Sequence, residues 1–359
     1  MKTFFILGRN PELSRAEIIE YLKARNRSFK EIYFENNILI LEVPDNEQFN
    51  IQEFGGTIWI GKILFEGNNK ELVKYLNNNE IIPQDKFTYS VFGNCDFEIL
   101  ANSFKEKKKK AMLKHGNKKI KFQSKEKNNI PNAEFYLTLI EHNNLVYLGI
   151  STQKYDNSDV KDRDMNKPER RESLAISPRL SKILINLSGA KRGILLLDPF
   201  CGVGGILQEA LIKNIKCYGI DKDKKAIADA EKNLKWIKSN YKINVDYKLE
   251  CNTSTKAPDL QFGAVATETP LGRLVKKKPS DNEAKKIISN FEGIIIPVLT
   301  RLKKVKKPNA KISITFPAIR NFHVDIDKIS KKTGLKIYMK PILESRPKQY
   351  ISRDMLIFQ

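Results

Sequence analysis

In this 359-residue chain, the stretch Asp198-Pro199-Phe200-Cys201-Gly202-Val203-Gly204-Gly205 combines an acid with a glycine-rich turn. Glycines there let backbone approach a ligand closely, and the acid sets a negative charge beside it. Asp221 follows 23 residues after Asp198, at the end of Lys216-Cys217-Tyr218-Gly219-Ile220. A carboxylate at that distance, at the carboxyl end of a second strand, is placed to accept hydrogen bonds from both ribose hydroxyls. The spacing is not the G-x-G-x-x-G that aims a helix N-terminus at a pyrophosphate, and an acid next to the turn repels phosphate. A cationic nucleoside fits better. S-adenosylmethionine carries a sulfonium and an ammonium and no phosphate, so Asp198, Pro199, Phe200, Gly202, Gly204, Gly205 and Asp221 are the candidate cofactor-binding residues.

An open α/β sheet binds ligands at the carboxyl ends of its strands, so a catalytic loop is expected after a later strand. Phe262-Gly263-Ala264-Val265-Ala266-Thr267 reads as that strand and Glu268-Thr269-Pro270-Leu271-Gly272 as its loop. Arg273, Lys276, Lys277 and Lys278 lie just beyond, either as a solubilising loop or as phosphate contacts at the rim. The three histidines, His115, His142 and His323, show no spacing that suggests base or metal chemistry.

The elements that position these residues follow from periodicity. Ile194 to Leu197 reads as a buried parallel strand and Ile206 to Lys213 as the helix after the turn. Ser177-Pro178 caps a helix carrying Leu180, Ile183, Leu184 and Leu187 that ends near Gly189. From Ile194 to the end the chain alternates strand and helix, as a doubly wound sheet requires. At the other end, Thr3 to Gly8 is strand-like. Asn10 and Pro11 then start a helix with Leu13, Ala16, Ile19 and Leu22 on one face. Lys30 to Phe34 and Ile38 to Val43 form a hairpin around Glu35-Asn36-Asn37, within a β-α-β-β-α-β, ferredoxin-like layout.

A formal charge of +22 predicts a polyanionic partner, nucleic acid rather than membrane. No apolar run approaches the ~20 residues that span a bilayer, and Met1-Lys2-Thr3-Phe4-Phe5-Ile6-Leu7-Gly8 reads as a strand rather than a leader. Cys95, Cys201, Cys217 and Cys251 lack C-x-x-C spacing, which argues against a zinc site or disulfide framework and suits a reducing cytoplasm. Between Lys105 and Lys127 eleven lysines face two glutamates, with Phe104, Met112, Leu113, Ile120 and Phe122 interleaved, reading as a basic helix then a basic strand. Standing alone, such a run is more often a solvated face.

Asp-Pro-Phe-Cys-Gly-x-Gly-Gly resembles the cofactor motif of class I RNA methyltransferases that carry a THUMP domain, especially the archaeal-type tRNA guanosine N2-methyltransferases acting at position 10. The resemblance continues through Phe4 to Ser14, Phe54 to Gly61, Arg163 to Pro168, and Ser345-Arg346-Pro347 to Arg353-Asp354, in the same order, over nearly the whole chain. It implies an N-terminal ferredoxin-like domain at residues 1–65 and a THUMP RNA-binding domain at 66–153, and the stretch Tyr155 to Glu172, rich in charge and poor in apolar residues, has the composition of a linker, set at 154–175. A Rossmann-like, doubly wound methyltransferase domain is implied at 176–359. It also implies that the lysine-rich run meets the acceptor end of RNA, where lysines give salt-sensitive, sequence-independent affinity. Asn252, after Glu250-Cys251, stands where relatives hold an acid or amide against the adenine amino group, although a loop asparagine is also an ordinary turn former.

The catalytic loop departs from the family. Relatives carry Asp or Asn, two prolines and an aromatic, so that the acid and a backbone carbonyl accept hydrogen bonds from the exocyclic amine while the aromatic stacks on the base. Here Glu268 replaces the shorter acid, Thr269 stands at the first proline, and Leu271 replaces the aromatic. Leucine forfeits a stacking face worth ~1–3 kcal/mol. Either the loop is a divergent one whose base stacks elsewhere, with Phe316 a candidate, or catalysis is weakened and the chain is mainly an RNA binder. The expectation is a metal-free, cytoplasmic, monomeric S-adenosylmethionine-dependent enzyme that acts on the N2 amine of a tRNA guanosine. N6-adenine methylation of nucleic acid is the alternative that uses the same kind of loop.

Overall fold

The computed structural model describes residues 1–117, 132–171, 176–270, 278–345 and 349–359. The chain divides into two compact units. The first holds Met1–Arg15, Arg27–Gln52 and Gly56–Tyr155, and the second holds Ala16–Asn26, Glu53–Gly55 and Asp156–Gln359.

In the first unit the chain runs through β1 (Lys2–Leu7), the start of α1 (Pro11–Ala24), β2 (Lys30–Glu35), β3 (Ile38–Glu42) and β4 (Thr57–Gly67). It continues through α2 (Asn69–Asn78), β5 (Lys86–Gly93), α3 (Glu98–Glu106), β6 (Lys110–Asn117), β7 (Phe135–His142) and β8 (Leu145–Lys154). All eight strands belong to one sheet, in the order β2-β3-β1-β4-β8-β7-β5-β6. This corrects the division at residues 65 and 66. The strand β4 runs through that point, pairing with β1 on one side and β8 on the other. Its ladder with β8 runs on past the proposed boundary to Gly67, and a strand with ladders on both sides cannot be split between two sheets.

The β2-β3 hairpin forms as expected, with Asn36 and Asn37 at φ 50° and 67°. Asparagine tolerates that left-handed pair, which matches strand twist. The second helix of the ferredoxin-like layout is replaced by a single 3-10 turn at Ile51–Glu53. In α1, Asn10 Oδ1 accepts from the Leu13 amide at 3.2 Å. The buried residues are Leu13, Ser14, Glu17, Ile18, Glu20, Tyr21 and Leu22, with Ala16 and Ile19 only half-buried. Buried Glu17 displaced the apolar pattern, because its Oε1 accepts from Gly55 N and Asn186 Nδ2, each at 2.7 Å.

The second unit contains α4 (Asn157–Met165), α5 (Pro178–Leu187), β9 (Leu195–Asp198), α6 (Gly205–Ile212), β10 (Lys216–Asp221), α7 (Lys224–Asn240) and β11 (Tyr247–Cys251). Then follow β12 (Ala264–Glu268), α8 (Asp281–Val305), β13 (Ile312–Ala318), α9 (Ile326–Thr333), β14 (Ile337–Glu344) and β15 (Ser352–Phe358). Seven strands form a sheet in the order β11-β10-β9-β12-β13-β15-β14. The first five are parallel, and β15 is antiparallel to both of its neighbours. Strict strand-helix alternation is broken twice: only a 3-10 turn at Ser254–Lys256 stands between β11 and β12, and no helix separates β14 from β15. Leu197, Val265, Ile312, Ile314 and Phe316 pack with Phe291, Ile295 and Leu302 of α8 and Ile329 of α9 in the main apolar cluster. Ser177 caps α5 through the Leu180 amide at 3.3 Å, a bond of the kind worth ~1 kcal/mol.

The segment read as a linker is structured. Much of its charge belongs to α4, where Arg163 is 1% exposed, binding Glu209 of α6 through Nε at 2.9 Å and pairing with Asp159. Burial disfavours that guanidinium charge, and the adjoining carboxylate overcomes the penalty and raises its affinity for the proton. Low apolar content was misleading because a buried ion pair can anchor a helix as apolar contact does, and removing one partner costs ~3–5 kcal/mol. Residues 172–175 lie outside the described residues.

Candidate functional site

At the end of β9 the chain turns through 199–204 into α6. Gly202 and Gly204 have φ of +51° and +86°, a region that costs an ordinary L-residue ~1–2 kcal/mol. A side chain at Gly202 would meet nothing within 4 Å although the residue is buried, so the turn faces open volume. At Gly205 a methyl would strike Ile176 Cγ2 at 2.8 Å, which explains glycine there by packing. Asp221 holds the turn: its Oδ2 accepts from Gly202 N at 2.9 Å and its Oδ1 from Asp223 N at 3.0 Å. Each oxygen retains a lone pair, leaving capacity for two further donors, as a pair of ribose hydroxyls requires.

Asp198 has a different place from the one its sequence position suggested. It is 1% exposed and does not open towards a ligand. Its Oδ1 accepts from Thr267 Oγ1 at 2.6 Å and Phe200 N at 3.2 Å, stitching β9 to β12. Burial pushes its carboxyl up to about 7, with the charges of Asp221 and Glu268 adding and the two hydrogen bonds opposing. Pro199 is buried, with its carbonyl accepting from Ser254 Oγ at 2.5 Å, and half-buried Phe200 packs against the main apolar cluster. Thr267 was missed, though a polar residue inside the apolar strand run was the available signal.

Asn252 behaves as a turn former. Its Nδ2 donates to Glu250 Oε1 at 2.8 Å, its Oδ1 accepts from Thr253 N at 2.9 Å, and its backbone N donates to the Asp221 carbonyl at 3.0 Å. The amide is thereby fixed next to Asp221.

Glu268 ends β12, beside β9, and is half-buried with Oε1 accepting from Arg353 Nε. Thr269 is pinned to β13: its N donates to Thr315 Oγ1 at 3.2 Å and its Oγ1 to the Thr315 carbonyl at 2.6 Å. A proline at this position could not make that backbone bond. Pro270 is exposed, and Leu271, Arg273, Lys276 and Lys277 lie outside the described residues. Phe316 cannot provide the missing stacking face. It is fully buried, with the Phe291 and Phe358 rings at 5.2 and 6.0 Å. Strand alternation placed it on the core side.

Asp221, Asp198 and Glu268 thus converge from the carboxyl ends of the adjacent strands β10, β9 and β12. A negative mouth with open volume at Gly202 suits a cationic nucleoside and opposes a phosphate. Among the described residues no group of three or more histidines, cysteines, aspartates or glutamates could hold a metal ion. His323, set aside on spacing, has its Nδ1 2.6 Å from Asp354 Oδ2 of β15, a pair made only by the fold.

In the first unit the lysine run is divided. Lys107 Nζ donates to the Asn79 carbonyl at 2.5 Å, and Lys109 Nζ donates to the Ile82 and Gln84 carbonyls and pairs with Glu80 at 2.6 Å. Those two lysines fasten the segment between α2 and β5. Lys105, Lys108, Lys110 and Lys114 are exposed, beside exposed Met112 and Leu113 on edge strand β6. Residues 118–131, with the rest of the run, lie outside the described residues.

Residues 168–293 match the UPF0020 family, described as an RMKL-like methyltransferase domain. The chain is 27% identical over 275 residues to the tRNA (guanine(10)-N2)-dimethyltransferase of Pyrococcus abyssi, covering 74% of this chain and 77% of that one. It is 30% identical over 117 residues to the protein of the same name from Methanothermobacter thermautotrophicus, 33% of each chain. TrmN from Thermus thermophilus has the same fold, with a TM-score of 0.55 at 11% identity over 100% of this chain and 99% of that one. The second unit therefore has the Rossmann-like fold of TrmN, and most of the stretch that matches the methyltransferase-domain model lies along its first strands and α8. No described helix is long and apolar enough to cross a membrane.

Proposed function

We propose that this chain is an S-adenosylmethionine-dependent tRNA methyltransferase that modifies the exocyclic N2 of a guanosine, with position 10 the site its curated relatives' names support. The observation that carries this reading is the placing of Glu268 at the end of the strand next to the glycine turn, with Thr267 bonded to Asp198 of that turn. Bound S-adenosylmethionine supplies an electrophilic methyl group on a cationic sulfur. Asp221 would accept the ribose hydroxyls, Asn252 would meet the adenine edge, and Asp198, when ionised, would favour a cation nearby. Glu268 would accept a hydrogen bond from the target amine and so orient its nitrogen lone pair. Thr269, bonded twice to Thr315, fixes the backbone that presents Glu268 and Pro270. Holding two reactants in near-attack geometry can supply ~7–11 kcal/mol of the barrier, which suits a site built of acceptors without a covalent nucleophile.

The exposed lysines Lys105, Lys108, Lys110 and Lys114 give the first unit a THUMP-like role in RNA binding. The enzyme works in the cytoplasm as a monomer without a metal. Mass spectrometry of nucleosides from tRNA incubated with the protein and labelled cofactor tests the reading. Label in N2-methylguanosine or N2-dimethylguanosine is expected. Label in N6-methyladenosine would move the assignment to adenine, and RNA binding without label would make the chain a binding module.

A further inference from the structure

We propose that Arg353 is a positioning residue for methyl transfer, acting through Glu268. The inference rests on the methyltransferase reading above and adds a residue to its machinery. Because β15 runs antiparallel, its first residues reach the edge of the sheet where the parallel strands end. The register shows this: Glu268 pairs with Thr315 of β13, and Arg353 pairs with Pro317 two residues further along. Two residues along a strand is the same face. Arg353 is 8% exposed, its Nε donates to Glu268 Oε1, and its Nη1 donates to Gln349 Oε1 at 3.1 Å.

Glutamate has one more rotatable bond than the aspartate of the family loop, and a free side chain of that length loses up to ~2 kcal/mol of rotamer freedom when ordered. The guanidinium removes much of that freedom in advance. It commits Oε1 and leaves Oε2 without a hydrogen bond among the described residues, so a single acceptor is turned to the amine. It also offsets negative charge where Asp198 already feels both Asp221 and Glu268. The long acid and its arginine act together in place of a short acid.

The test compares Arg353→Gln, Arg353→Lys, Glu268→Gln and the Arg353→Gln/Glu268→Gln double variant. It measures kcat and KM for tRNA, cofactor affinity by calorimetry, and melting temperature. Misplacement of a reacting group by ~1 Å costs ~100-fold, so Arg353→Gln is expected to lower kcat ~10- to 100-fold. The KM and the cofactor Kd should stay within about threefold, the pattern of a group that acts in the transition state. Arg353→Lys, which keeps the charge, should recover part of the loss and serves as the folded variant if Arg353→Gln melts early. In the Glu268→Gln background, Arg353→Gln should change kcat less than about threefold, because its effect passes through the lost carboxylate. Losses that multiply, a rise in KM at unchanged kcat, or a lysine variant no better than the glutamine one would each overturn the role. A wild type that methylates no tRNA would instead overturn the function itself, and this inference with it.

Discussion

The carboxyl edge of the seven-stranded sheet and the β6 edge of the eight-stranded sheet hold charge in opposite ways. At the first, Asp198, Asp221 and Glu268 each accept hydrogen bonds from named donors. At the second, Lys105, Lys108, Lys110 and Lys114 stand in solvent. A carboxylate held by neighbours has one place and acts by geometry, so its removal should be felt in full. An exposed lysine has many places and acts by field, so its removal should be felt in proportion and screened by salt.

The largest expected effect is at Glu268. Glu268→Ala should reduce methyl transfer at least ~100-fold while cofactor and tRNA affinities change little, as single-turnover assays and binding titrations can measure. Loss of tRNA affinity in parallel would make Glu268 part of the binding surface and erase the contrast between the edges.

Asp221→Ala comes next. Hydrogen bonds to a charged acceptor contribute ~1.5–3 kcal/mol each, so the cofactor Kd measured by calorimetry should rise ~10- to 100-fold or more. Unchanged affinity would assign Asp221 to the turn alone, through Gly202 and Asp223.

Asp198 provides a pH signature that the lysine edge lacks. Its carboxyl sits at about 7 in the folded chain against an ordinary value of 3.8. The folded state therefore keeps a proton that the unfolded chain gives up. The associated stability is fully present below about 3.8 and is lost as pH rises through about 7. Thermal melts from pH 5 to 8 should show this decline in the wild type and a flatter profile in Asp198→Asn. Cofactor affinity should run the other way, rising towards pH 7, because a cation favours the ionised acid; proton release on binding, read by calorimetry in two buffers, checks it.

The smallest effect per residue is at the lysines. Changing Lys105, Lys108, Lys110 and Lys114 together to glutamine should weaken tRNA binding several-fold. It should also flatten log K against log salt by up to ~0.7–0.9 per lost phosphate contact. Changing Lys107 and Lys109 should instead lower the melting temperature, since they tie down the segment between α2 and β5. An unchanged salt slope in the first variant would make β6 a solvated edge.

Local signals carried far along this chain. The turn glycines, Asp221 at a strand end, the Ser177 cap and the Asn36-Asn37 hairpin each follow from a few adjacent residues, and each forms as read. What misled was always a partner distant in sequence. The charge of 154–171 looked like a linker because Glu209, which buries Arg163, lies 46 residues away. Phe316 looked available because nothing nearby reveals that Phe291 and Phe358 enclose it. The lysine run looked uniform because the carbonyls that capture Lys107 and Lys109 lie 25 to 28 residues back.

By itself the sequence determined the βα unit around the glycine turn, the acid 23 residues on, the strand that leads to Glu268, and the basic character of the chain. These rest on backbone conformation and short-range periodicity, which a few consecutive residues specify. Only the tertiary structure decided that Asp198 is sealed under Thr267, that β4 joins eight strands into one sheet, and that Arg353 reaches Glu268 across 85 residues. The reason is physical: strand order and burial depend on which surfaces pack together. A side chain's role as a ligand, a clamp or a piece of core depends on its neighbours after packing.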